Sequence, residues 1–261
     1  MFDKAINDLI RALRLYKVWT YQAWHDMSAK YKRTILGSLW IAGSMVTMSL
    51  VLSIVYGALH GADLSTVLPS IMGGILCWGL AGFMLIDGPD IFMNAGVTIK
   101  SHAYPFSYYV FESGARTFMV FLNNLVVFFI AMALIRQLAI PHWTVIPGLA
   151  VTFVTMFSWG TVISLLASRF RDLRFMIPHL GQILYFLTPI MWRAEDISPA
   201  KKAIIVDMNP LYGLVEIVRA PLLGHAPAPL CWSLALGLMG LGVAVWLLVF
   251  GVFRKRIPFW V

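Results

Sequence analysis

The chain alternates between long runs without a charged residue and short segments in which charges cluster. A membrane-crossing helix needs about 20 consecutive, mostly apolar residues, so each long charge-free run is a candidate span. The run at residues 175–192 is short and holds Pro178 and Pro189, which predicts a kinked or broken helix. The run at residues 220–253 is longer than a span requires, so we expect its span to start near Cys231. Six runs qualify, at residues 34–62, 64–86, 117–135, 137–168, 175–192 and 220–253.

Basic residues between the runs predict the orientation, because cytoplasmic loops of membrane proteins carry an excess of Lys and Arg. With the N-terminus inside, the inner segments hold 15 of the 20 Lys and Arg residues and the outer segments hold 5. We therefore expect both termini in the cytoplasm. The pattern predicts an all-α integral membrane protein, with residues 1–33 as a cytoplasmic interfacial element and residues 34–261 as a six-span transmembrane domain.

Composition agrees with a membrane protein, since 60% of the residues are hydrophobic and only 12% are charged. The net charge of +8 is explained by the inner loops and does not indicate nucleic-acid binding. Cys77 and Cys231 each lie in an apolar run, which favours buried inert thiols over a disulfide or metal site. Charges throughout residues 1–33 argue against a cleavable signal peptide.

The first 33 residues have the pattern of an amphipathic helix on the inner leaflet. Ile6, Leu9, Ile10 and Leu13 recur at helical spacing beside basic residues. A basic cluster then adjoins the first span. This cluster fits a positive-inside anchor and also a site for a phosphate-bearing lipid. Its members are Lys30, Lys32 and Arg33.

The segment MNPLYGLVEIVRAPLLG, residues 208–224, predicts a short helix between the fifth and sixth spans. Asn209 and Pro210 form a helix-start signal. Five apolar residues recur at helical spacing, while Tyr212, Glu216 and Arg219 fall on the other side. We expect Glu216 and Arg219 to pair, at the outer interface or in a helix that dips into the membrane. A loop helix packed over the bundle and a gate both fit this pattern.

Several kinds of chemistry are missing from the sequence. No Gly-rich phosphate loop precedes a Lys-Ser or Lys-Thr pair, so ATP binding by that route is not expected. No acid lies inside a run, and His179 is the nearest candidate for proton coupling, although a hydrogen-bonded structural role is favoured. Asp87 and Asp90 are two close carboxylates that an enzyme could use, and they also suit an ordinary helix end.

Uncharged polar residues do occur inside the third and fifth runs. Such groups usually hydrogen-bond neighbouring helices, but they also suit a path for sugars, whose hydroxyls they bind. They are Asn123, Asn124, Gln182 and Tyr185. The two charged inner connections, residues 87–116 and 168–174, are either solvated loops or a docking surface for a soluble motor.

Five segments resemble, in order and spacing, the membrane subunits of bacterial ABC transporters that export O-antigen and related polysaccharides. They are KYKRTILGSLW (30–40), SRFRDL (168–173), FLTPIMW (186–192), residues 208–224 and RKRIPFWV (254–261). The likeness spans nearly the whole chain. Ser38 departs from it, because relatives often carry Pro after the Gly.

The resemblance implies a non-catalytic permease of the bacterial inner membrane that forms a homodimer and binds two copies of a nucleotide-binding subunit. That partner would bind ATP and Mg²⁺, and this chain would hold no cofactor or metal. The substrate would be a polysaccharide on a polyprenyl diphosphate lipid, moved from cytoplasm to periplasm.

By the same resemblance, the helices between the fifth and sixth spans form a periplasmic gate, and the two inner connections couple to the ATPase. The expected coupling residues are Asp87, Asp90, Lys100, Arg169, Arg171 and Asp172. The lipid diphosphate needs cations at the inner interface, and the cluster at Lys30, Lys32 and Arg33 offers them. Export of drugs or small lipids by the same architecture, and a membrane enzyme acting on polyprenyl-linked sugars, are the alternatives.

Overall fold

A computed structural model describes residues 2–31, 37 and 39–261, and no strand occurs in these ranges. Two 3₁₀ turns, Gly88–Asp90 and Arg254–Arg256, connect some of the helices. The α-helices are α1 (Phe2–Arg14), α2 (Tyr16–Tyr31), α3 (Leu39–His60), α4 (Leu64–Ala81), α5 (Phe83–Ile86), α6 (Ile91–Asn94), α7 (Gly96–Ser101), α8 (Phe106–Leu134), α9 (Val145–Arg169), α10 (Leu173–Leu187), α11 (Pro199–Ile205), α12 (Pro210–Leu222), α13 (Pro229–Phe253) and α14 (Ile257–Trp260).

Five helices of the described part are long and apolar enough to cross a membrane, which confirms the all-α membrane fold. They are α3, α4, α8, α9 and the helical stretch that begins with α13. Four of them correspond to predicted runs with shifted ends, and α13 starts two residues before Cys231, close to the predicted position.

The fifth predicted run forms a shorter helix than a span requires. Helix α10 has 15 residues, so six crossing helices are not confirmed. Pro178 lies inside this helix, but the chain leaves it at Thr188, which is extended with ψ 139°. Pro189 explains this end, because the residue before a proline is forced out of the α conformation.

Helix α9 lies at the centre of the bundle and packs against α8, α12 and α13. Its buried face carries small hydroxyl residues whose side chains bond back to carbonyls of the preceding turn. These bonds satisfy the hydroxyls without a partner helix, while the small side chains let neighbouring helices approach closely. The buried residues that form such bonds are Thr152, Thr155, Ser158, Thr161 and Ser168, whereas the hydroxyl of Ser164 accepts from the N–H of Phe92 at 2.9 Å.

The predicted N-terminal amphipathic helix forms as α1, but the face it buries against the protein is not the apolar stripe. Ala5, Asp8 and Ala12 are buried, whereas Ile6, Ile10 and Leu13 remain 40–47% exposed. An exposed apolar stripe beside basic residues is what an interfacial helix presents to lipid. Helix α2 continues past α1, and its Trp19 ring stacks on Phe111 of α8 at 5.6 Å.

Helix α8 links the two ends of the bundle. At its start, the backbone N–H groups of Phe106 and Ser107 donate to Asp8 of α1. Beyond its end, the loop to α9 contacts α12, because His142 N–H donates to the Pro221 carbonyl at 2.8 Å. Helices α1 and α12 therefore lie at opposite ends of α8.

Candidate functional site

Helix α12 confirms the predicted short helix, but nearly all of its surface is buried in protein. It packs on α4, α9 and α13, and Ile217, which lies outside the predicted apolar stripe, is fully buried. A Cβ on Gly148 of α9 would overlap the Ile217 carbonyl oxygen, and one on Gly213 would lie 2.8 Å from the Cys231 carbonyl. These two glycines bring α9 and α13 against the backbone of α12. Helix α12 is therefore packed within the bundle, and of its three polar residues Tyr212 and Glu216 remain partly exposed.

Asn209 joins the start of α12 to the segment that follows α10. Its Oδ1 accepts from the N–H groups of Leu211 at 3.0 Å and Tyr212 at 3.4 Å, which is the N-cap that the sequence predicts. Its Nδ2 donates to the hydroxyl of Thr188 at 3.0 Å. Pro210 occupies the first helical position, where no N–H is required.

Arg219 joins the same segment to the other end of α12. The predicted pair with Glu216 is confirmed, with Nη2 to Oε2 at 2.5 Å and Nε to Oε2 at 2.8 Å. Nη1 also donates to the Pro189 carbonyl at 2.7 Å. Helical side chains lean toward the N-terminus of their helix, so Arg219 reaches back along α12 to this carbonyl. Asn209 and Arg219 thus hold Thr188 and Pro189 between them.

Two glycines of α4 make room for this guanidinium. A Cβ on Gly74 would lie 3.2 Å from Arg219 Nη1, and one on Gly73 would lie 3.4 Å from Arg219 Cγ. Both glycines occur halfway along the 18 residues of α4, so the ion pair lies deep in the bundle. Arg219 is only 6% exposed, so the predicted pair is buried within the protein.

The charge of Arg219 is maintained despite this burial. Three hydrogen bonds offset the cost of this burial, because Glu216 accepts from Nε and Nη2 and the Pro189 carbonyl accepts from Nη1. Removal of one partner of a buried, hydrogen-bonded ion pair costs free energy, because the other charge then lies in an apolar environment without a partner. Tyr212 itself is half-buried beside the pair.

The four residues predicted for a sugar path lie on two helices that are not main packing partners of each other. Asn123 and Asn124 are half-buried on α8, and the Asn124 Oδ1 is buried without a hydrogen-bond partner among the described residues. On α10, Gln182 is exposed and Tyr185 packs edge-on against Trp78 at 5.5 Å. One chain therefore does not gather these four groups into one cluster.

The two predicted coupling connections do meet. Arg174 Nε lies 2.5 Å from Asp90 Oδ1, which joins the 3₁₀ turn after α5 to the start of α10. Arg169 lies over the rings of Phe170 and Trp260, at 5.6 and 5.9 Å. The other predicted residues of this group are exposed in the same region of the fold, namely Asp87, Lys100, Arg171 and Asp172. Arg174 was not predicted as a coupling residue, although it belongs to the same basic loop.

The predicted phosphate-binding cluster falls at the first gap in the described residues. Lys32 and Arg33 lie outside the described residues, as does the side chain of Lys30, whose backbone lies in the last turn of α2.

Sequence reasoning missed Asp8. Its Oδ2 and Oδ1 accept from Ser107 N–H at 2.9 Å and Phe106 N–H at 3.2 Å, so a carboxylate of α1 caps α8. An available signal was the start of α8 itself, where Pro105 occupies the position at which Ser, Thr, Asp or Asn would supply a local cap. A remote acceptor replaces the local one.

A polar cavity of about 540 Å³ was also missed. It lies between α2, α8 and the connection that follows α5, and it includes Asp87 and Asp90. The Tyr109 hydroxyl borders this cavity and has no hydrogen-bond partner among the described residues. The cavity therefore adjoins the predicted coupling loops.

Asp8→Ala is expected to cost about 1–3 kcal/mol, because two helix-terminal N–H groups lose a charged acceptor in a buried place. Hydrogen exchange followed by mass spectrometry would show faster exchange in α1 and in the first turn of α8. Asp3→Ala, in the exposed first turn of α1, is the matched control. Equal exchange in the two variants would contradict the capping role.

Comparison with known proteins adds one finding to this geometry. A family model described as ABC-2 type transporter matches residues 18–223, which is well over half of the chain. The matched region runs from α2 to the end of α12 and so contains the Arg219 site and both predicted coupling connections. No curated protein matches the chain.

Proposed function

Because the chain belongs to the ABC-2 type transporter family, we propose that it is the permease subunit of an ATP-driven exporter of polyprenyl-diphosphate-linked polysaccharide. The family and the five membrane-length helices make it a multi-pass membrane component of a transporter. Two copies of a separate ATPase would bind ATP and Mg²⁺ and drive a homodimer of this chain. Transport would run from cytoplasm to periplasm across the inner membrane, with both termini in the cytoplasm.

The contact between Asp90 and Arg174 is the observation that carries the coupling part of this proposal. It makes one surface from two connections that are 84 residues apart in sequence. A motor that moves this surface would move α5 and α10 together. Helix α10 ends at Leu187, and the next two residues, Thr188 and Pro189, are held by α12. A displacement of α10 would therefore be transmitted along the backbone to the Arg219 site.

The polysaccharide part of the proposal is supported by the five motifs that resemble polysaccharide exporters. A long glycan is mostly uncharged, and neutral polar and aromatic groups bind its hydroxyls without the strong retention that buried ions would cause. Asn123, Asn124, Gln182 and Tyr185 are the proposed groups, and a path built from all four would require a second copy of the chain.

Reconstitution in proteoliposomes tests the function. The chain and a candidate ATPase partner would be supplied with a polyprenyl-diphosphate glycan, and glycan exposure on the far side would be measured with and without ATP. A matched preparation would carry an ATPase whose phosphate-loop Lys is replaced. Exposure without ATP would contradict the proposal, and ATP-dependent movement of an amphiphilic dye but not of the glycan would favour the drug or small-lipid exporter.

Asp90→Ala and Arg174→Ala are each expected to reduce glycan transport several-fold with little change in stability. The side chains are 42% and 29% exposed, and an ion pair this exposed contributes only about 0–1 kcal/mol. The charge swap Asp90→Arg with Arg174→Asp should recover part of the loss. Transport and ATP hydrolysis, measured together, separate lost coupling from lost binding of the ATPase.

Arg193→Ala provides the control for this pair. Arg193 forms a similarly short, exposed pair with Glu195 at 2.6 Å, outside both coupling connections. If Arg193→Ala reduced transport as much as Arg174→Ala, the special role of the Asp90–Arg174 contact would be refuted.

A further inference from the structure

A basic cavity lies where α1, the loop before α8 and the end of α13 meet. Its volume is about 510 Å³, and its lining includes Lys4, Arg11, Arg254 and Lys255. A second cavity of about 390 Å³ shares three of these cations. We propose that the basic cavity binds a phosphate group, either of a lipid headgroup or of a soluble phosphate compound. This inference does not rest on the proposed transport function.

The fold assembles these cations from both ends of the chain. Lys4 and Arg11 are two turns apart on one face of α1. Arg254 connects that face to the C-terminal segment, because its Nη1 donates to the Lys4 carbonyl and lies 3.8 Å from Asp8 Oδ1. Lys255 follows directly in the 3₁₀ turn. The site therefore has one half-buried cation bonded to α1, Arg254, and three exposed cations around it.

The charge in the cavity is not balanced by the protein. Of the described residues that line the cavity, Asp8 is the only carboxylate, and its two oxygens accept from the N–H groups at the start of α8. Within the described part of the chain, Lys4, Arg11 and Lys255 form no ion pair with a carboxylate. Four cations against one committed carboxylate leave an excess of about three positive charges, and a phosphate with one or two negative charges reduces this repulsion.

The exposed apolar face of α1 would place the cavity near the level of lipid phosphates. Helix α1 exposes Ile6, Ile10 and Leu13 on a face other than the one that bears Lys4 and Arg11. A helix that inserts its apolar face into the acyl boundary holds its basic face at the headgroup level. Basic residues there attract anionic headgroups. On this orientation of α1, a lipid phosphate would meet the cavity at the headgroup level.

The test measures binding to the purified full-length chain in an uncharged detergent, without any ATPase. Native mass spectrometry would give dissociation constants for dioleoyl phosphatidic acid and for dioleoyl phosphatidylcholine, and sodium pyrophosphate would be added as a soluble competitor. The cavity variant carries Lys4→Gln, Arg11→Gln and Lys255→Gln, and keeps Arg254 because of its contacts with α1. We expect the cavity variant to bind phosphatidic acid on the order of 100-fold more weakly, about fivefold per cation.

The control variant removes three exposed cations that do not line the cavity, with Arg14→Gln, Lys17→Gln and Lys201→Gln. It should bind within about threefold of the wild type. A further variant with Lys4→Arg and Lys255→Arg keeps the charges and should retain binding, which guards against a folding defect in the Gln variant.

The outcomes separate the two sources of phosphate. Cavity-dependent binding of phosphatidic acid that pyrophosphate does not displace supports a lipid headgroup. Cavity-dependent binding of pyrophosphate with no gain from the lipid tails supports a soluble phosphate. Equal weakening in the cavity and control variants, or equal binding of phosphatidylcholine and phosphatidic acid, would overturn the proposal.

Discussion

Arg219→Ala is expected to lower the free energy of unfolding by about 3–5 kcal/mol, because it leaves a largely buried carboxylate without its partner. Glu216 would lose both of its contacts with the guanidinium, and the Pro189 carbonyl would lose its hydrogen bond. Unfolding by SDS titration of the purified chain, followed by tryptophan fluorescence, measures the change. Arg193→Ala removes an equally short but exposed Arg–Glu contact and should cost less than about 1 kcal/mol.

The geometry also determines which double variants recover stability. An exchange of Glu216 and Arg219 keeps both charges, but it places a carboxylate against the Pro189 carbonyl, so we expect little recovery. Glu216→Gln with Arg219→Met leaves no buried charge and should be more stable than Arg219→Ala alone. A swap variant as stable as the wild type would show that the Pro189 contact contributes little and that the pair alone matters.

In the proposed exporter, Arg219→Ala is expected to loosen the contact between α12 and the segment that follows α10. Thr188 would still be held by Asn209, so α12 would remain capped while its far end loses its link to Pro189. Glycan leakage in the absence of ATP, measured in proteoliposomes at a temperature at which the variant is folded, would reveal a gating role. Loss of stability without leakage would indicate a purely structural pair.

The parts of this fold that depend on local sequence were predictable. Charge-free runs locate five membrane-length helices, because transfer from water to lipid is close to additive along a helix. Asn209 and Pro210 identify the start of α12, and the pairing of Glu216 with Arg219 follows from their spacing of three residues.

The parts that depend on contacts between distant residues were not predictable. Arg219 can be buried this deeply because Gly73 and Gly74 of α4 have no side chains. Nothing in the sequence indicates that α4 packs against α12, so this burial was not predictable. Asp8 caps a helix that starts 98 residues later, so its burial has no periodic signal. The early end of α10 was partly predictable, because Pro189 forces the residue before it out of the helix. The conformation of the segment after α10 was not predictable, because it depends on hydrogen bonds from α12.

Gly148→Ala is the second change with a large expected effect. The new methyl group would overlap the carbonyl oxygen of Ile217, a backbone atom that cannot rotate away, so α9 and α12 must separate. Overpacking of this kind costs about 1–3 kcal/mol, and the strain should exceed the small gain that alanine normally gives in a helix. SDS titration gives the change in the free energy of unfolding, and hydrogen exchange shows where the structure opens.

The location of the damage distinguishes a local clash from a general loss of packing. The loop before α9 is bonded to the end of α12 through His142 N–H and the Pro221 carbonyl, so faster exchange should be concentrated in the last turns of α12 and in this loop. Gly240→Ala is the matched control, since a Cβ on this glycine of α13 meets no atom within 4 Å. It should be neutral or stabilising by up to about 1 kcal/mol. Similar stability in the two variants would mean that α12 moves at little cost, and a helix that moves so easily could not hold Thr188 and Pro189 in place against the proposed motor.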